Sequence, residues 1–115
     1  VSGYRSLAMI AGQIEDIGDR RNEILRINFG APEALNVAGD FVVSRTVVKV
    51  TATPWTKVFN IYGGQEGDLM ILRGNGVELQ DVGGNLILES KYKLKPFKLI
   101  VLYFENNNWS ELFRT

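Results

Sequence analysis

The apolar positions of this chain change period as it proceeds. Over the first eighteen residues Leu7, Ile10, Ile14 and Ile17 are separated by three, four and three positions, a heptad-like stripe for a helix of about three turns. Ser6 stands where a cap would. Gly12 lowers the helicity of the stripe by roughly 0.5–1 kcal/mol relative to alanine, so the segment needs something to pack on. Three arrangements supply that: a helix docked on its own domain, an extended arm lying on a neighbouring subunit, or the end of a stalk leading into the remainder of the chain. Beyond the charged break Asp19–Glu23, a solvated turn, the period falls to two. Leu25, Ile27 and Phe29 alternate with Arg26 and Asn28, which predicts a half-buried strand. Phe41–Thr51 is the longest β candidate. Its two sets, Val43, Arg45, Val47, Lys49, Thr51 and Val42, Ser44, Thr46, Val48, Val50, are both mixed, which predicts one face in the core and part of the other against something else.

Thr53-Pro54-Trp55-Thr56 interrupts the pattern, because proline cannot donate to a sheet ladder, and Lys57–Tyr62 resumes it. Gly63, Gly64 and Gly67 then read as a tight corner, since glycine takes positive φ without steric cost. Leu69–Leu72 follows as a buried strand, with Val77–Leu79 and Leu86–Leu88 repeating the same grammar between glycine-rich bends. Lys91, Lys93 and Lys95 alternate with Tyr92, Leu94 and Pro96, which is how edge strands are protected from recruiting other chains. The chain closes on a hairpin, Lys98–Phe104 against Trp109–Phe113, turned at Glu105–Asn108. Eight to ten short strands with at most one helix predict an all-β fold, a small β-sandwich or barrel-like roll of short antiparallel strands. Residues 1–18 are expected to form an N-terminal arm or short helix, and 19–115 a single β-domain.

Composition narrows the chemistry. Thirteen basic and thirteen acidic residues cancel, so no global field draws the chain onto nucleic acid or an anionic membrane. There is no apolar run of about 18 residues, the length a spanning helix needs. Cysteine and histidine are both absent, which removes thiolate nucleophiles, zinc–thiolate sites, the commonest general base near neutral pH and the commonest transition-metal ligand. No enzymatic activity, metal or cofactor is expected. Twelve glycines against three prolines among 115 residues fit many turns around one core.

Three stretches carry a resemblance: "EALNVAGDFVVSRTVVKVTA", "VFNIYGGQEGDLMILRGNGVELQDVGGNLIL" and "LIVLYFENNNWSELFRT". Their succession resembles a β-module that recurs in structural proteins of tailed bacteriophages, at the ends of tail fibres and tail spikes and in head-associated proteins. The matching positions are Gly63, Gly64, Gly67, Leu72 and Arg73, then Gly84, Asn85 and Leu86, and last Tyr103, Asn107, Trp109, Glu111, Leu112 and Arg114. About 80 of the 115 residues are covered. The resemblance implies a homotrimer located in the virion. It departs from the family pattern at "ESKYKLKPFK", Glu89–Lys98. A short chain with a leading stripe is expected to decorate or cement a capsid, with Leu7, Ile10, Ile14 and Ile17 on the attachment arm and the major capsid protein or other virion proteins as partners. The alternative is a tail-fibre or tail-spike module that binds a surface glycan of the host.

Individual residues sort by the same logic. Trp109, Phe113, Tyr103 and Phe104 either stack on sugars or fill the core beneath the terminal hairpin; the core is the expectation. Trp55, beside Pro54 in a predicted loop, is the better candidate for an exposed contact. The acids Glu15, Asp16 and Asp19, or Glu66 and Asp68, have the residue type but not the demonstrated separation of roughly 5–9.5 Å that a glycosidase pair requires. Gly74-Asn75-Gly76 lacks the downstream helix of a phosphate cradle.

Overall fold

The computed structural model describes residues 27–115, and every regular element among them is a β-strand. The proposed arm residues Leu7, Ile10, Ile14 and Ile17 lie outside the described residues, as does the first half of the strand expected at Ile24–Phe29. Ile27 and Phe29 precede the first strand and are exposed, so alternation alone overstated that segment. The strands are β1 (Glu33–Asn36), β2 (Phe41–Val42), β3 (Val47–Val58), β4 (Ile61–Tyr62), β5 (Leu69–Leu79), β6 (Leu86–Ile87), β7 (Tyr92–Leu94), β8 (Leu99–Glu105) and β9 (Asn108–Arg114).

Their pairing corrects the antiparallel expectation. β1 lies parallel to β3, β3 parallel to β5, β2 parallel to β4 and β6 parallel to β9. Only β5 with β7, β5 with β8, and β8 with β9 are antiparallel. Parallel neighbours need a crossover between them. From β1 to β3 and from β3 to β5 the crossover is a corner, a two-residue strand of the second sheet, and another corner. The chain therefore winds through about three solenoid-like coils rather than folding as a sandwich or barrel-like roll. Period-two patterning and glycine bends look alike in a meander and in a coil, because they specify a strand but not its partner.

The long strand read at Phe41–Thr51 is divided for the same reason. β2 ends at Val42, the chain bends through Val43–Thr46, and β3 begins on the next wall at Val47. Val43 in the bend and Val48 and Val50 in β3 are all buried although they belong to opposite sets of the simple alternation. Conversely Pro54 does not end its strand. It sits where the register of β3 against β5 shifts between Thr51 and Thr56, a bulge in which its missing N–H is not required. Opposite this bulge, Gly74 and Gly76 take positive φ inside β5, and a side chain on either would run into the carbonyl oxygen of Val50 or Ala52. The expected turn Gly74-Asn75-Gly76 is thus a kinked strand pressed against its neighbour.

The two walls meet in one core. Val48, Val50, Met70, Leu72, Ile100 and Leu102 come from β3, β5 and β8, and Phe41, Ile61, Leu86 and Trp109 from β2, β4, β6 and β9. Fully burying each such side chain contributes about 1.5–3 kcal/mol. The terminal hairpin forms as the sequence predicts. Asn106 and Asn107 both adopt positive φ in its two-residue turn, the conformation that matches strand twist and that asparagine tolerates. β8 then pairs with β5 and β9 with β6, closing the last coil on both walls. β7 is a short edge strand whose Tyr92 and Leu94 are buried while Lys91, Lys93 and Lys95 face outward, as the alternation implies.

Candidate functional site

Several of the residues that carry the sequence resemblance converge on one corner of the core. Asn85, just ahead of β6, behaves as a piece of strand. Its amide Nδ2 donates to the Ile61 carbonyl at 2.8 Å, its Oδ1 accepts from the Ile61 N–H at 2.9 Å, its own N–H donates to the Phe59 carbonyl at 3.1 Å and its carbonyl accepts from the Trp109 N–H at 2.8 Å. One side chain thereby joins β4 to the third coil where no backbone pairing does so. Trp109 Nε1 donates to the same Ile61 carbonyl at 3.1 Å, and its ring meets Phe104 edge-on at 5.0 Å between centroids. Gly64 lies against both rings, so that a Cβ there would sit 2.6 Å from Phe104 and 2.8 Å from Trp109. A Cβ on Gly84 would strike the Phe59 carbonyl, and one on Gly63 the Val43 carbonyl. Leu72 is fully buried. Gly67, with φ near 91° and open space around it, serves the turn Gln65–Asp68 instead. Arg73 stands apart, exposed on the outer face of β5.

Arg114 completes a second structural cluster. It grips Glu111 with two bonds, Nε to Oε2 at 2.7 Å and Nη2 to Oε1 at 2.8 Å, donates to the Ser90 carbonyl at 2.6 Å, and lies 4.7 Å over the Tyr92 ring. Tyr92 in turn donates to the Thr115 carbonyl at 3.0 Å. The fork geometry binds the end of the chain to the Glu89–Tyr92 segment. Of the four aromatics weighed for sugar stacking, Trp109 is 1% exposed and Phe104 is packed against the core. Tyr103 is half-buried, and only Phe113 is open.

Carboxylates do local work as well. Asp68 Oδ2 accepts from the Gln65 N–H at 2.9 Å, and Glu66 Oε1 from the Asn106 N–H at 3.2 Å, so this pair holds turns. Asp40, which sequence reasoning missed, anchors the first coil to the second by accepting from the N–H groups of Phe59 and Asn60 at 2.8 and 3.0 Å and from the Asn60 amide at 3.0 Å. Glu33 does the same for Ser44, with N–H and hydroxyl both at 2.8 Å. The "AGD" run before a hydrophobic pair is a turn signal that could have flagged Asp40. The Ser44 N–H bond holds the Glu33 carboxyl below its ordinary value, and the Arg114 bond does so for Glu111. At Asp40 burial pushes upward, but the Asn60 and Phe59 bonds outweigh it and the net shift is down. Carboxylates depressed by folding contribute stability above their unfolded pKa, about 4, and lose it as pH falls through the folded value. The urea midpoint is accordingly expected to hold from pH 8 to about 5 and to fall steeply below about 4.

Three surface regions remain. Val42 and Tyr62 are register partners facing outward on β2 and β4, and Ile87, Leu112 and Phe113 of β6 and β9 line an open groove of about 550 Å³. All five are more than half exposed. On β3, Trp55 is 37% exposed with Lys93 Nζ 5.2 Å from its ring, and Lys57, Glu78 and Lys93 form a cross-strand row beside it. A third region, a cleft of about 670 Å³, opens between Phe29–Ala31, the Val43–Thr46 bend and the glycine corner. It brings Gly63 and the edge of Trp109 together but holds a single acid, Asp68, whose carboxylate is engaged in the turn. Comparison with protein-family models, with curated proteins and with solved structures finds no match.

Proposed function

We propose that the chain is a virion structural protein of a tailed phage that acts as a homotrimer, its work being the interface itself. The observation that carries this reading is the outward apolar belt Val42, Tyr62, Ile87, Leu112 and Phe113. A pair of large apolar side chains open on β2 and β4 and three more around one groove on β6 and β9 fit a surface made for contact. Covering them contributes about 25 cal/mol per Å² of apolar area before ordering costs. This belt replaces the second face of β3 as the subunit contact, because that face carries the exposed Lys49 and Thr51. The full chain is expected to sediment as a trimer at micromolar concentration. The double variant Tyr62→Glu, Ile87→Lys is expected to run as a monomer with an unchanged β-sheet circular dichroism spectrum. A wild-type monomer, or a variant that stays trimeric, would refute the belt as the interface.

Of the two placements in a virion, the terminal module of a tail fibre or spike rests on the sequence resemblance. Capsid decoration rests instead on the 1–18 arm. Binding to expanded, empty heads at fixed stoichiometry, lost on deleting that arm, would decide for decoration.

A further inference from the structure

The turn Lys95–Lys98 is built against ordinary turn chemistry. The Lys98 N–H donates to the Lys95 carbonyl at 3.0 Å, Pro96 occupies the second position and Phe97 the third, with φ of 71°. That third position demands positive φ and is normally filled by glycine or asparagine. Phe97 is 96% exposed, so its ring returns nothing to the core for the strained backbone. A bulky residue held in this region and turned to solvent points to a role outside the fold.

The surroundings say what kind. Phe97 and Pro96 form one side of a cleft of about 210 Å³ whose other side is Lys49, Thr51, Arg73 and Asn75. Lys49 and Arg73 are register partners on β3 and β5, and both are exposed. No acid lines the cleft, and among the described residues the one ion pair is that of Arg114 with Glu111. The cleft is smaller than the 300–1,000 Å³ typical of drug-sized ligands, which leaves room for a single ring. It combines an apolar aromatic face, two adjacent cations, a hydroxyl and an amide.

We infer that this cleft binds a carboxylate-bearing sugar residue, a uronic or sialic acid, stacked on Phe97 with its carboxylate between Lys49 and Arg73. Arg73 supplies a fork that matches a carboxylate, and Thr51 and Asn75 supply partners for ring hydroxyls. A nucleic acid fits less well. Its phosphates need a continuous basic track, whereas the acids and bases of this chain cancel. The site also falls in Glu89–Lys98 and its contacts, the stretch where the sequence departs from the phage-module pattern. None of its lining residues belongs to the apolar belt, so it is tested separately from the trimer.

The test is an NMR titration of the full chain with 3′-sialyllactose, tri-galacturonic acid, lactose and a ten-residue oligothymidylate. Amide shifts at Lys49, Arg73 and Phe97 are expected with one or both acidic sugars and not with lactose. The two acidic probes distinguish sialic from uronic acid. Arg73→Ala and Phe97→Gly should each weaken binding at least about tenfold, an affinity change of about 1.4 kcal/mol. Phe97→Gly is the sharper variant, because glycine suits the turn and the melting temperature should hold or rise while affinity falls. Absence of shifts with both acidic sugars, equal binding of lactose, tighter binding of the oligothymidylate, or unchanged affinity in Phe97→Gly would each overturn the assignment. Sedimentation of the same variants should show an unchanged oligomeric state, which keeps this outcome separate from that of the apolar belt.

Discussion

Trp109→Ala is expected to remove a large share of the stability of the module. The side chain is 1% exposed, packs edge-on against Phe104 at 5.0 Å and donates through Nε1 to the Ile61 carbonyl at 3.1 Å. Truncating a buried aromatic to alanine costs about 3–5 kcal/mol, against a total of about 5–15 kcal/mol for a domain. The loss falls where the last strand seals the third coil, so the variant should show a collapsed urea midpoint and an early thermal transition. Trp109→Phe keeps a ring beside Phe104 but loses the donor. The Ile61 carbonyl retains the Asn85 Nδ2 bond at 2.8 Å, so the lost hydrogen bond should cost only about 1 kcal/mol, plus whatever the smaller ring leaves unfilled. Were Trp109 an exposed sugar platform, alanine there would scarcely move stability; a urea midpoint within experimental error of wild type would therefore contradict the burial.

Asn85→Asp is expected to be the most damaging single-atom exchange in the chain. The aspartate can still accept from the Ile61 N–H, but it sets a second oxygen against the Ile61 carbonyl, where Nδ2 now donates at 2.8 Å. Ile61 is fully buried, and an unmet polar contact in such a place costs about 1–3 kcal/mol, more when one partner is charged. Protonation restores a donor, so the aspartate's folded pKa should lie above its unfolded value of about 3.9. A group shifted upward stabilises below the unfolded pKa and loses that contribution as pH rises through the folded one. The deficit relative to wild type should therefore be greatest at pH 7 and shrink towards pH 4, measured as the difference in urea midpoints. A deficit that does not vary with pH would exclude the proposed donor–acceptor pairing. Asn85→Ala, which loses both bonds, should show no such narrowing.

Both residues were legible in the sequence as members of a spaced motif, yet not for what they do. Glycines 63 and 67, the terminal hairpin and its asparagine turn, and the lysine-flanked edge strand β7 all follow from local rules, because φ preference and period-two alternation act within a few residues; Gly64, whose φ is not positive, is instead required by its distant neighbours Phe104 and Trp109. The divided strand at Val43–Thr46 and the bulge at Pro54 were misread where local rules conflict with the winding of the chain. Asp40 and Glu33 were missed because their partners, Asn60 and Ser44, come from later in the chain. Phe97 carries no local signal, because its positive φ and its exposure are set by the fold around the turn.

The sequence by itself determined that the described residues are all-β and that the chain is without thiol or imidazole side chains, since composition and alternation do not depend on how strands are partnered. Only the tertiary structure decided that the strands stack in parallel coils, which wall keeps Val42, Tyr62 and Ile87 in water, and that Lys49, Arg73 and Phe97 share one cleft. Partner choice in a sheet is a long-range property. An extended backbone offers the same donors and acceptors to a parallel neighbour as to an antiparallel one, and the corners that choose between them are fixed by contacts such as Asn85 with Ile61, far apart in the chain.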